Sequence, residues 1–274
     1  MLKDVTFGQY YPAKSAVHKM DPRAKILLLI LYITMIFIVK NFWGFLISGV
    51  FLLVAILTSK VPVKSVIRSV KAIIFIIAFT FVINIFLHKE DGARILWDVW
   101  LIRNITDKSL RYAIFMALRL LYLVFGSSIL TLTTTPVALT DGIEALLKPL
   151  KLIKFPVHEL ALIMSIALRF IPTLMEETER IISAQKSRGA DFESGNLLKR
   201  AKSLIPVLIP LITGAFRRAE ELGDAMDARC YNGSKNRTKY KKLTFSLNDL
   251  FATLISLTAL FGIILCNVYA GAVI

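Results

Sequence analysis

The residues of this 274-residue sequence best suited to chemistry are arginines at the ends of two long helical stretches. The first stretch runs from Val157 through Glu176-Glu177-Thr178-Glu179-Arg180 to Ala184-Gln185-Lys186-Ser187-Arg188-Gly189-Ala190. The second runs from about Leu197 through Pro206 and Pro210 to Ala225-Met226-Asp227-Ala228-Arg229-Cys230-Tyr231. Both finish on a small residue, an arginine and another small residue: Ser187-Arg188-Gly189 and Ala228-Arg229-Cys230. A guanidinium presents five donors in a fixed fork, which matches carboxylates or main-chain carbonyls on a partner. One cation near a helix C-terminus is accounted for by the macrodipole, at about 0.3–1 kcal/mol. Two similar tips ask for more than that.

This is recognition chemistry rather than catalysis. No Gly-x-x-x-x-Gly-Lys-Ser/Thr phosphate loop occurs, so nucleotide binding by that route is not expected. No nucleophile–His–acid constellation stands out. The three histidines (His18, His88 and His158) lie at no metal-ligand spacing, and Cys230 and Cys266 set up no disulfide framework. The chain itself is expected to bind no cofactor and no metal.

The elements that must hold these arms are membrane helices. The sequence is 56% hydrophobic, and its apolar runs of roughly 16–24 residues approach or reach the length that spans a ~30 Å hydrocarbon core. Spans are expected over about 24–39, 42–58, 72–87 and 112–135, with a last one over about 250–268. Asp21-Pro22 opens the first as N-cap and first helical residue. The net charge of +15 would point to nucleic acid in a soluble protein. Here the positive-inside bias is the simpler source, and no aromatic-interleaved basic module is present. The first two dozen residues lack an apolar signal core, so the first span is expected to direct its own insertion.

Four further features qualify this plan. Lys64, Arg68 and Lys71 recur at intervals of three and four with Val and Ile between. That reads either as a helix at the membrane surface or as the charged start of the third span. Residues 88–111 read as a mixed-charge loop whose Trp97 and Trp100 suit an interface. Arg119 falls inside the fourth span, about two turns in, where snorkelling to the headgroups is favoured over a functional role. Val137–Leu150 reads as a further helix with Pro149 near its end.

In the first arm, Val157 to Ile171 is apolar apart from Glu159, Ser165 and Arg169, and beyond Pro172 the helix turns polar. Glu176 stands four residues before Arg180, as for an intrahelical pair. Gly189 suits the left-handed position that ends a helix.

Bases before the first span, between the second and third, and at Lys235–Lys242 all fall on one side if there are five spans. The N-terminus is then cytoplasmic and the C-terminus outside. The domains follow: a transmembrane region 1–135, a cytoplasmic coupling region 136–242, and a final transmembrane helix within 243–274.

The sequence resembles the transmembrane T component of energy-coupling-factor (ECF) transporters, related to the CbiQ proteins of cobalt uptake. The resemblance covers nearly the whole chain. It rests on His18-Lys19-Met20-Asp21-Pro22-Arg23-Ala24-Lys25, Leu130-Thr131-Leu132-Thr133 and Ala167-Leu168-Arg169-Phe170-Ile171-Pro172, together with the two arginine tips. The family pattern at both tips is Ala-Arg-Gly; here Ser187 replaces the first alanine and Cys230 the second glycine.

The resemblance implies that each tip docks into a groove on one of two ABC-type ATPase subunits, which supply the ATP and Mg chemistry. It also implies that the arms' apolar parts carry a small membrane substrate-binding S component for a vitamin or transition metal. Arg119, Arg169, Pro172, Pro206 and Pro210 are candidate structural or coupling residues. The expectation is an all-α integral membrane protein, with about five transmembrane helices plus long amphipathic cytoplasmic coupling helices. It is not an enzyme, and its partners are the two ATPases, the S component and the bilayer, with no nucleic acid. The competing reading is a self-contained secondary transporter, which paired discontinuous helices in inverted repeats would favour. No internal repeat is evident.

Overall fold

The computed structural model describes residues 10–71, 73–87, 95–99, 102–192, 196–233 and 243–269. The basic run at Lys235–Lys242, His88 and Trp100 lie outside the described residues. The helices are α1 (Pro22–Ile38), α2 (Phe42–Ser59), α3 (Val63–Lys71), α4 (Ile74–Leu87), α5 (Asp107–Thr133), α6 (Pro136–Leu147), α7 (Val157–Ser187), α8 (Leu197–Ser203), α9 (Ile205–Ala228) and α10 (Leu247–Tyr269). A 3-10 turn follows α6 at Lys148–Ile153. Strands β1 (Ile95–Val99) and β2 (Ile102–Thr106) pair antiparallel. Apart from that hairpin, every regular element among the described residues is helical. The protein is an all-α membrane protein, as its sequence leads one to expect.

Four helices are long and apolar enough to cross a membrane: α2, α5, α7 and α10. The pair α3–α4, bent by 56°, makes a fifth if counted as one broken span. Helix α1, at 17 residues, rises only about 25 Å. Two stretches differ from expectation. The interval 88–111 is not loop throughout, because it contains β1, β2 and the start of α5. Helix α5 begins at Asp107 rather than Tyr112; an acid in the first turn complements the dipole, and Asp107 pairs with Arg111 at 3.1 Å.

The described residues form two compact units, one within 8–143 and 243–274, the other within 144–242. In the first unit, Met35, Ile36, Val39, Phe115 and Ile263 are fully buried where α1, α2, α5 and α10 meet. Phe45 stacks edge-on against Phe115, and Tyr32 lies on Phe51. The outward faces stay apolar, with Leu27, Phe37, Phe75 and Phe79 all at least half exposed, as lipid-facing side chains are. Close approach needs small residues: a Cβ on Gly126 would clash with the edge of the Tyr32 ring.

Two polar knots fix the ends of this unit. At one end Asp21 caps α1 by accepting from the Arg23 amide at 2.9 Å, and its carboxylate also holds the Arg23 guanidinium at 2.8 Å. The Asp249 carboxylate accepts from the amides of Asp21 and Ser246, joining the start of α10 to the start of α1. Lys25 Nζ donates to the Thr133 carbonyl at 2.9 Å, which brings in the end of α5. At the other end Asn267 Nδ2 donates to the Ile38 carbonyl and Arg119 Nη2 to the Val39 carbonyl, at 2.8 and 3.0 Å. Helices α1 and α10 therefore run parallel and α5 antiparallel to both. The end of α5 at Thr133 and the chain's return at Leu243 lie at the same end of this unit, beside Lys25 and Arg23.

Candidate functional site

In the second unit the arms are helices α7 and α9. The first is one continuous helix of 31 residues, about 46 Å long, that passes through Pro172 without a break. The second stretch is not one helix. It divides at Leu204 into α8 and α9, because Pro206 has no N–H to donate and sits where it costs least, in the first turn of α9. Pro210 lies within α9, and Pro172, Pro206, Pro210 and Arg169 are all exposed.

Both arms end in the same backbone motif. At the first tip Ser187 is the last helical residue, Arg188 is the C-cap, and Gly189 takes φ +84°. The Gly189 amide donates to the Lys186 carbonyl and the Ala190 amide to the Gln185 carbonyl, both at 3.0 Å. At the second tip Ala228 is last, Arg229 is the C-cap, and Cys230 takes φ +56°. The Cys230 amide reaches the Asp227 carbonyl at 2.9 Å and the Tyr231 amide the Met226 carbonyl at 3.0 Å. These are the two bonds of a Schellman cap, in matching register. The motif explains the small residue after each arginine, since positive φ suits glycine and taxes anything with a Cβ. Cys230 meets the geometry without being a glycine.

The cap holds each arginine at the extreme end of a rigid helix. Arg188 and Arg229 are exposed, and neither guanidinium has a hydrogen bond or ion pair among the described residues. Five donors at each tip are therefore free for another surface.

The arms also meet each other. Gly214 of α9 lies against Glu177 of α7, close enough that an added Cβ would come within 3.1 Å of Glu177 Oε1. One turn on, Arg218 forms an ion pair with the Glu177 carboxylate. The expected pair between Glu176 and Arg180 is not formed; the neighbouring carboxylate pairs across the helices instead, where a second helix shields it from water. Glu177 precedes Arg188 by eleven residues, and Arg218 precedes Arg229 by eleven. The crossing is thus equally far, about 16 Å, from each tip. That matching spacing was in the sequence, but nothing local shows that the two helices cross there.

Arg119 belongs to the other unit. Beyond its bond to the Val39 carbonyl, it lies over the Phe115 and Phe37 rings at 5.1 and 5.7 Å. Its guanidinium satisfies the carbonyl of Val39, the C-cap of α1. His158 sits beside Glu144 at 3.3 Å and His18 beside Ser15, and among the described residues no cluster of His, Cys, Asp or Glu could hold a metal.

The chain's similarities agree with this architecture. The model of the family described as CbiQ, cobalt transport protein, matches residues 13–240. An energy-coupling factor transporter transmembrane protein, EcfT, of Ruminiclostridium cellulolyticum is 51% identical over 265 residues, covering 97% of this chain and 98% of that protein. EcfT of Clostridium kluyveri is 49% identical over 271 residues, 99% of this chain and 100% of that protein. EcfT of Bacillus subtilis is 43% identical over 262 residues, 95% and 98% of the two chains. With its membrane helices, its paired arginine tips and likeness along almost its entire length, the chain belongs to the CbiQ/EcfT family of transmembrane proteins of energy-coupling factor transporters.

Proposed function

We propose that this protein is the coupling scaffold of an ATP-driven micronutrient importer, in which Arg188 and Arg229 each dock on one of two ABC-type ATPase subunits. The observation that carries this reading is the repeated tip: two helices end in one cap geometry and present an unpaired guanidinium. Ser187, Gly189, Ala228 and Cys230 flank the arginines and shape the contact. ATP and Mg belong to the partner chains, and this chain converts their closure into movement of the arms.

Membrane-level parts of the same arms support the second half of the proposal. Leu160, Ile163 and Met164 on α7 and Leu208, Ile209 and Ile212 on α9 are exposed apolar residues. A small membrane S component that binds the vitamin or metal would rest there. The N-terminus is cytoplasmic and the C-terminus outside in this scheme, with the ATPases meeting tips that extend into the cytoplasm.

The secondary-transporter alternative gains nothing from the cations packed between the membrane helices. Lys25 and Arg119 both donate to backbone carbonyls of neighbouring helices, as structural ties do. The test is uptake. Arg188→Glu and Arg229→Glu each weaken ATPase co-purification, and the double change abolishes ATP-dependent transport while the protein remains in the membrane. Full uptake by the double variant refutes the docking role.

A further inference from the structure

Helix α3 carries a face that the coupling role does not use. It lies between α2, which is long enough to span, and α4, a 14-residue helix with no charged residue. The 56° bend between α3 and α4 separates α3 from the spanning direction. At 3.6 residues per turn, Lys64, Arg68 and Lys71 fall within about 60° of one another. Val66 points the opposite way and is 1% exposed, packed with Val61 and Leu132. Val63 and Ile67 flank the basic stripe and are 54% and 57% exposed. Lys60, the left-handed C-cap of α2, adds a fourth cation at the same spacing.

Among the described residues nothing pairs with this charge. The sequence has no Asp or Glu between Asp21 and Glu90. Helix α5, against which α3 packs, has its one acid, Asp107, at its far end from Leu132. Among the described residues none of Lys60, Lys64, Arg68 and Lys71 makes an ion pair or side-chain hydrogen bond. A helix placed between membrane helices, with bare cations beside exposed Val and Ile, is complementary to a layer that is anionic above and apolar below.

We propose that α3 is an interfacial binding site for anionic phospholipids, with Lys64, Arg68 and Lys71 on the headgroup phosphates and Val63 and Ile67 in the acyl boundary. The test uses the full-length protein in detergent micelles offered equal phosphatidylglycerol and phosphatidylcholine, with retained lipids counted by native mass spectrometry. The wild type retains phosphatidylglycerol in preference, and the preference shrinks as salt rises. Each base near an anionic surface contributes about five-fold, so Lys64→Gln/Arg68→Gln/Lys71→Gln lowers the lipid ratio at least roughly ten-fold. The charge-conserving variant Lys64→Arg/Arg68→Lys/Lys71→Arg keeps the ratio and serves as the folding control. Equal retention of the two lipids by the wild type, an unchanged ratio in the glutamine variant, or loss in the charge-conserving one overturns the proposal. Displacement of the lipid by millimolar inorganic phosphate also overturns it, because the site would then belong to a soluble anion.

Discussion

Removing the ion pair between Glu177 and Arg218 should loosen the two arms at their crossing. Two unit charges at about 4 Å attract by about 4 kcal/mol at an effective dielectric near 20. Desolvation and side-chain entropy take back most of that, leaving exposed pairs with about 0.2–1 kcal/mol. Here the side chains are only 27% and 25% exposed, so a coupling of about 1–2 kcal/mol is expected from a double-mutant cycle of Glu177→Gln and Arg218→Met.

The mechanical consequence is larger than the energetic one. With the crossing about 16 Å from each tip, every 10° change in crossing angle shifts one tip relative to the other by about 3 Å. Spin labels at Ser187→Cys and Ala228→Cys, in a background where Cys230 and Cys266 are serine, read that separation by pulsed dipolar spectroscopy. Arg218→Met should broaden the distribution by several ångströms. A coupling energy below about 0.3 kcal/mol together with an unchanged distribution would refute the pivot.

Three smaller predictions concern local geometry. Because Cys230 stands at φ +56° and Gly189 at φ +84°, Cys230→Gly should stabilise its arm and Gly189→Ala destabilise the other, each by about 1 kcal/mol; chemical denaturation of the purified protein reads both signs. Gly126→Ala drives a methyl into the buried Tyr32 ring and should cost about 1–3 kcal/mol, seen as a lower thermal midpoint in detergent. Burial raises the Asp21 carboxyl, but the Arg23 hydrogen bonds and charge outweigh it and hold the group below its ordinary 3.8. Its contribution is therefore fully present above about pH 4 and lost as pH falls through the lowered value. The thermal midpoint of the wild type should show no Asp21-dependent change between pH 5 and 8, and Asp21→Ala should lower it throughout that range, reflecting a stability loss of about 1 kcal/mol for the lost cap alone.

What could be read from the sequence was what neighbouring residues decide among themselves. The Asp21-Pro22 start of α1 and the Gly189 stop of α7 are local: a cap needs an acceptor side chain two residues before an amide, and a left-handed end needs a residue that tolerates it. Hydropathy over about 20 residues is equally local, so the apolar helices α1, α2 and α10 emerged close to their bounds. The division at Leu204 was also signalled, by Pro206, but the apolar run Leu204–Ile212 hid it. Cys230 could not be read as left-handed, because its residue type argues against the conformation that the second cap requires.

The rest was decided by helices far apart in the chain. Glu176 and Glu177 are alike in sequence, and only the arrival of α9 selects Glu177 by placing Arg218 beside it. Arg119 reads as a cation seeking headgroups until α1 ends next to it with an unpaired carbonyl at Val39. Lys25 finds its acceptor at Thr133, more than a hundred residues away. A buried charge must take whichever partner tertiary packing brings within about 3 Å. The sequence by itself therefore determined that this chain enters a membrane and carries two arginine-ended arms. Tertiary structure decided where the arms cross and which of its charges hold the scaffold together.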